Sequence, residues 1–153
     1  VENNNADQSL VCRVQGRLCA LPLGHVMETM RPLPTEAFVG APDFVLGLAV
    51  VRGAPVPVVD AAKLLGAAGV RIDRFVMLKV GTRRIALGVE GVLGVRALPA
   101  GALQELPPLL QDAATDVVAA IGLLDAELLL VLRGTRLLSD ADWSRVDAAE
   151  AAA

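Results

Sequence analysis

Residues 47–60 read GLAVVRGAPVPVVD. Leu48 to Val51 is a short apolar run of the kind that fills a buried strand. Arg52-Gly53 is a two-residue turn signal, because glycine takes a positive φ without steric cost. Val56 to Val59 supplies the return strand. Pro55 and Pro57 have no amide hydrogen to give to a ladder, which predicts an edge or a bulge around them. Asp60 suits the N-cap of a short helix over residues 61–65, closed by Gly66. Strand, tight turn, strand and capped helical turn follow one another without a linker, the grammar of a mainly β chain with short connections.

Two further hairpins flank this block. Cys12 and Val14 alternate with Arg13 and Gln15, Gln15-Gly16 turns the chain, and Leu18 to Leu23 returns. Val76, Leu78 and Val80 share one face, Gly81-Thr82 marks a turn, and Arg84 to Val89 returns. Pro32, Pro34 and Pro42 interrupt any ladder over residues 31–44, and Asp140 is placed to cap a second helix containing Trp143. The chain also repeats itself. Ala20-Leu21 and Val26 match Ala86-Leu87 and Val92 at a spacing of 66, Arg31, Leu33 and Pro34 match Arg96, Leu98 and Pro99 at 65, and Val58, Lys63, Leu64 and Leu65 match Val131, Arg136, Leu137 and Leu138 at 73. The expectation is a flexible tail over 1–9, two related halves over 10–66 and 73–138, and a C-terminal tail over 144–153. Each half has the size of a small five-stranded barrel, and halves so small should share an apolar seam.

Composition narrows the function. Of 153 residues 54% are apolar and 20% charged, which excludes a mostly disordered chain. With three Phe, one Trp and no Tyr, the core must be aliphatic, and bases would find little to stack on. A net charge of −3 counts against phosphate-backbone binding. No apolar run has the length of a membrane span, so direct insertion is not expected. Two cysteines and one histidine are too few for a structural zinc site and fit a reducing cytoplasm.

A reactive constellation is missing from the pattern. Cys19, six residues before His25, is the one nucleophile to weigh, but it falls in a strand where a buried, inert cysteine is the ordinary reading. GVEGVLG, residues 88–94, has neither phosphate-loop spacing and reads as a glycine-kinked strand. Glu90 and Asp125 have no second feature bringing them together for acid–base work. Arg71/Arg74 and Arg83/Arg84 read as a solvated barrel face. A binding module is favoured over an enzyme, with a small RNA-binding barrel and a Cys19-dependent enzyme as the rivals, and no cofactor is expected.

APDFVLGLAVVRGAPVPVVDAAKLLG, residues 41–66, resembles the CheW-like family of bacterial chemotaxis coupling proteins. ALPLGHVMETMRPLP (20–34), RRIALGVEGVLGV (83–95) and IGLLDAELLLVLRGTRLLS (121–139) resemble the family's stretches in the same order, so the likeness spans Leu10 to Trp143. Val50, Ala61, Glu90 and Arg133 depart from its usual residues. The resemblance implies two five-stranded SH3-like β-barrels side by side, with short helices between the halves and at the C-terminus, and no catalysis. It implies a cytoplasmic adaptor, recruited to membrane receptor arrays. Its partners would be the regulatory domain of a CheA-type histidine kinase and the cytoplasmic tip of methyl-accepting chemoreceptors, with array or ring assembly. It places partner contacts at Arg52 and Gly53, at Val26 and Glu28, whose two-residue spacing would put both on one strand face, and at Val89 and Val92 on the seam. Arg52 would offer its planar fork to a partner carboxylate or carbonyl. Asp125-Ala126 stands in the second half where Arg52-Gly53 stands in the first, so the two edges differ in charge. Replacing Val58 by Asp should bury an unpaired charge and unfold the first barrel; the expected result in circular dichroism is loss of a cooperative melt.

Overall fold

The computed structural model describes residues 8–68, 71–98, 103–104 and 117–152. Among these residues there are eleven strands: β1 (Gln8–Val14), β2 (Arg17–Pro22), β3 (Val26–Met30), β4 (Val45–Val51), β5 (Ala54–Asp60), β6 (Arg74–Val80), β7 (Arg83–Val89), β8 (Gly91–Ala97), β9 (Leu103–Gln104), β10 (Val118–Leu124) and β11 (Glu127–Leu132). The helices are α1 (Ala61–Leu64) and α2 (Asp140–Ala152). The strands form a six-stranded sheet, β8-β1-β2-β11-β10-β9, and a five-stranded sheet, β3-β6-β7-β5-β4.

Four hairpins turn in two residues, and their backbones match the right-handed twist of the strands. φ is positive at both central residues in Gln15-Gly16 (48°, 77°), Arg52-Gly53 (50°, 79°) and Asp125-Ala126 (50°, 66°), and at Gly81 (64°) in the fourth. The arginine of the Arg-Gly turn is therefore held in a left-handed conformation that few non-glycine residues adopt.

The internal repeat is present down to single registers. Val26 pairs with Leu78 and Glu28 with Met77; Val92 pairs with Cys12 and Gly94 with Val11, each set interrupted by a bulge at the same place. Val58 opposes Ala86 as Val131 opposes Ala20, both in parallel ladders. The division of strands between barrels differs from the expectation, however. The halves 10–66 and 73–138 do not each close a barrel. Hairpin β1–β2 completes the six-stranded sheet with β8 to β11, and β6–β7 completes the five-stranded one with β3 to β5. The cause is local. A single 3-10 turn at Leu23–His25 carries the chain from β2 in one sheet to β3 in the other, and one residue, Glu90, carries β7 across to β8. GVEGVLG is accordingly two strands broken at Glu90, not one kinked strand.

Period-2 alternation sorts the core into three parts. Val11, Leu18, Ala20, Leu129 and Val131 fill the six-stranded barrel, and Ala49, Val51, Val56, Val58, Phe75, Met77 and Ala86 fill the five-stranded one. Between them Leu10, Cys12, Cys19, Leu21, Val59, Val76, Leu78, Ile85, Leu87 and Val89 form the seam. The exchanged hairpins bury both faces, which is why their sequences read as nearly continuous apolar runs.

Each sheet closes through a short return segment. Glu36 exchanges two backbone hydrogen bonds of 2.9 Å with Leu48 of β4, and β9 pairs with β10 through Gln104 and Ile121. Gly47, at φ 144°, lies under the first of these, where a Cβ would overlap the Glu36 carbonyl oxygen.

Asp60 caps α1, its Oδ1 accepting from the amides of Ala62 (3.0 Å) and Lys63 (3.3 Å). β5 lies inside its sheet and not at an edge, but it pairs with β7 only from Val58 onward, which leaves the prolines an open side. At the other end of the chain, residues 144–152 are helix, not tail. Ser139, not Asp140, caps α2: its hydroxyl accepts from the Asp142 amide at 3.1 Å, and the Asp142 carboxylate accepts from the Ser139 amide at 3.0 Å. Val146 joins the seam, and Arg83 donates to both Asp147 carboxylate oxygens while stacking 4.5 Å from the Trp143 ring centroid. Gln8 and Ser9 belong to β1, and the rest of the expected N-terminal tail, 1–7, lies outside the described residues.

Gly47→Ala should lose more than about 2 kcal/mol of stability, through the backbone overlap and the positive φ together. The measurement is the urea midpoint; an unchanged midpoint would show that the return segment does not hold the barrel closed.

Candidate functional site

β5 runs parallel to β7, and β3 runs antiparallel to β6, so the turns β4–β5 and β6–β7 and the start of β3 meet at one end of the five-stranded barrel. There Arg52 reaches from its turn to Glu28 on β3 and donates to both carboxylate oxygens, one bond measuring 2.8 Å. These residues come from the two opposite edges of the sheet, so the pair spans the line of closure. The side chains are 65% and 29% exposed. The hydrogen bonds from Arg52 hold the Glu28 carboxyl below the usual carboxylate range, with partial burial opposing, and the same bonds raise the Arg52 guanidinium. Arg52 is thus not a free fork: Glu28 already occupies it, and the two form one exposed ionic unit.

The other expected residues separate. The bulge between Val26 and Glu28 turns them to different faces: Glu28 opposes Met77 of the barrel interior, whereas Val26 opposes Leu78 and packs on the seam. The single-face expectation for this pair fails because a bulge adds one residue to the period of two. Val92 is the counterpart of Val26 across the repeat, half-buried against the seam beside its own bulge. Val89 is 1% exposed and lies in the core, so it presents nothing to a partner. Gly53 is exposed in the turn.

Sequence reasoning missed a set of exposed apolar residues that the repeat places in pairs. Met27 and Leu93 are the two bulge residues, 46% and 47% exposed. Val50 faces Pro55 beside the Arg52-Gly53 turn, and Leu123 faces Leu128 beside the Asp125-Ala126 turn. Val50, Leu123 and Leu128 are 69%, 69% and 58% exposed. The corresponding end of the six-stranded barrel carries Arg13, which donates to Glu127 at 2.8 Å, and Arg96 within 3.9 Å of Asp125. Aligning the two halves and asking which apolar positions fall next to the turns would have found them.

The thiol alternative meets unfavourable chemistry. Cys12 and Cys19 are register partners across β1–β2, both buried in the seam. Desolvation pushes both thiols up to about 12, so neither supplies a thiolate near neutral pH. Among the described residues no group of three or more His, Cys, Asp and Glu side chains is arranged to hold a metal. No described helix is long and apolar enough to cross a membrane.

Because Glu28 has a lowered folded-state pKa, its pairing adds stability above the ordinary glutamate range and loses it as pH falls through the folded value. In a carboxyl NMR titration the Glu28 midpoint should rise when Arg52 is changed to Ala. A Glu28 midpoint that is the same with and without Arg52 would refute the pairing in solution.

The CheW-like domain family matches residues 8–142. A chemotaxis protein CheW from Klebsiella aerogenes is 29% identical over 109 residues, covering 69% of this chain and 66% of that protein's length. The crystal structure of the scaffolding protein TtCheW from Thermoanaerobacter tengcongensis superimposes with a TM-score of 0.78 at 20% identity, over 90% of this chain and 95% of the other, a likeness of fold. With the paired barrels, the repeated registers and a sequence match across nearly its whole length, the chain belongs to the CheW-like domain family.

Proposed function

We propose that the chain is a non-enzymatic adaptor that couples methyl-accepting chemoreceptors to a CheA-type histidine kinase. In this reading it works in the cytoplasm and is recruited to membrane receptor arrays. The observation that carries the reading is the duplicated barrel end. Each barrel offers a two-residue turn flanked by an exposed apolar pair, Val50 and Pro55 in one and Leu123 and Leu128 in the other. The turns carry opposite charges, Arg52 against Asp125, in like positions. One molecule with two similar but distinguishable ends can engage two neighbours at once, and repetition of such heterologous contacts builds rings or lattices.

Within this reading the Arg52–Glu28 unit and Val50 face the kinase regulatory domain. Val26 and Val92, half-buried along the seam, receive an apolar face of a receptor tip helix. Exposed apolar pairs beside charges give contacts of moderate area and reversible affinity, as signalling requires.

Arg52→Glu sets like charges against Glu28 and alters an exposed turn. It should leave the fold within about 1 kcal/mol but weaken the kinase regulatory domain at least tenfold in isothermal titration, if Arg52 is a hot spot. The double change Glu28→Arg with Arg52→Glu restores an ion pair in reverse and should not restore binding, because the partner meets inverted charges. Full recovery in the double variant would make the pair purely structural. An adaptor that retains neither the kinase nor a receptor in a pull-down with both purified partners would refute the function.

A further inference from the structure

We propose that Lys79 and Arg84 make the end of the five-stranded barrel a docking surface for a carboxylate-rich protein face. This rests on the adaptor reading and adds the chemistry of the partner's surface. The two residues stand directly opposite each other on the β6–β7 hairpin. Counted from the Val80–Arg83 pair that closes the turn, theirs is a wide pair, where side chains approach most closely and like charges repel. They share the strand face of Met77 and Ala86, so they stand above the barrel interior at the end where Arg52 and Glu28 meet. No carboxylate among the described residues lies within 4.0 Å of either cation.

The repeat supplies an internal control. The positions of Lys79 and Arg84 correspond to Arg13 and Leu18 on β1–β2, and that of Ala54 corresponds to Glu127. In the six-stranded barrel the one cation of this strand pair, Arg13, is satisfied by Glu127 at 2.8 Å. In the five-stranded barrel the apolar member of the pair is replaced by a second cation, and the acid that would answer it is replaced by alanine. At this end Arg52 is paired with Glu28 and Arg83 with Asp147, while Lys79 and Arg84 have no ion-pair partner among the described residues; at the other end Arg13 is paired with Glu127 and Arg96 lies 3.9 Å from Asp125. A chain of net charge −3 thus concentrates unbalanced positive charge at one barrel end. A repulsive pair that the other half of the same chain avoids is relieved when carboxylates arrive from outside.

An acidic protein face fits better than RNA. Phe75 is buried, Phe38 and Phe44 pack on the seam, and Trp143, near the same hairpin, is partly buried against the seam with Arg83 stacked on its ring, so bases would find little open aromatic surface to stack on. Val50 offers an exposed apolar contact beside the charges instead.

Lys79→Glu separates the docking role from a structural one, because it converts the repulsive pair into an attractive one. The variant should melt at the same temperature as the parent chain or higher. Its affinity for the purified kinase regulatory domain should fall about tenfold in about 50 mM salt, and the deficit should narrow in about 300 mM salt, where screening is stronger. Arg84→Leu, which installs the residue of the corresponding position, should weaken binding by a smaller factor in the same direction. If the parent chain binds the kinase domain and both variants bind it equally well at low salt, this inference fails while the adaptor function stands. If the parent chain does not bind the kinase domain at all, the adaptor reading fails and the partner assigned here falls with it. Low-salt binding of a single-stranded RNA oligonucleotide that Lys79→Glu abolishes, with no effect on the kinase domain, would give the surface to nucleic acid and overturn the proposal.

Discussion

Neither half of this chain can close a barrel without a hairpin from the other. The constraint is set where strands β2 and β7 leave one sheet and the chain passes, through one turn of 3-10 helix or one residue, into the next. Each exchanged hairpin then has a barrel on one face and the seam on the other, so Met77 and Ala86 point one way while Val76, Leu78, Ile85 and Leu87 point the other. A sheet that buries both faces needs apolar residues at consecutive positions, and small or branched ones where two layers meet closely. This is the physical source of an apolar fraction of 54% with only three Phe and one Trp.

Much of this was legible in the sequence. The hairpin turns, the Asp60 cap and the drifting repeat offsets were all readable, because turn chemistry and capping are local and a duplication leaves aligned residues behind. The partition of strands was not, since an apolar run announces two buried faces without saying which sheet lies on each. Val26 and Glu28 show the same limit at the site. A spacing of two means one face only in an unbroken strand, and the bulge at Met27 is set by long-range pairing with β6. Val89 looked like a seam residue and is one, but on its inner side. The C-terminal stretch looked like a tail because its alanines carry no strong stripe; Ser139 and Asp142, three apart, were the signal that it starts a helix.

In the proposed adaptor, closure and recognition meet at the same residues. An exposed ion pair adds little stability by itself, and Arg52–Glu28 is not needed to shut a barrel that Glu36 and Leu48 already join through their backbones. Its consequence is orientation. A bidentate pair fixes the guanidinium plane over the end of the barrel, and the left-handed turn at Arg52 holds the chain that carries it. A partner at this proposed contact would meet a prearranged charge pattern, not a loose side chain, and would lose less entropy in ordering it.

On the proposed adaptor reading, duplication followed by divergence at the ends would let one small domain keep two partners apart. The strand registers and bulges of the halves agree, so the two ends have the same shape to first order. Shape alone would let either neighbour bind at either end. Exchanging Arg52 for Asp125 and Ala54 for Glu127 between like positions changes charge in and beside the turns while the strand registers stay alike, and Arg84 takes the place of Leu18, which is buried in the six-stranded barrel. Selectivity can then be adjusted at these few exposed positions, while the doubly buried hairpins, where almost any substitution would disturb two cores at once, stay as they are.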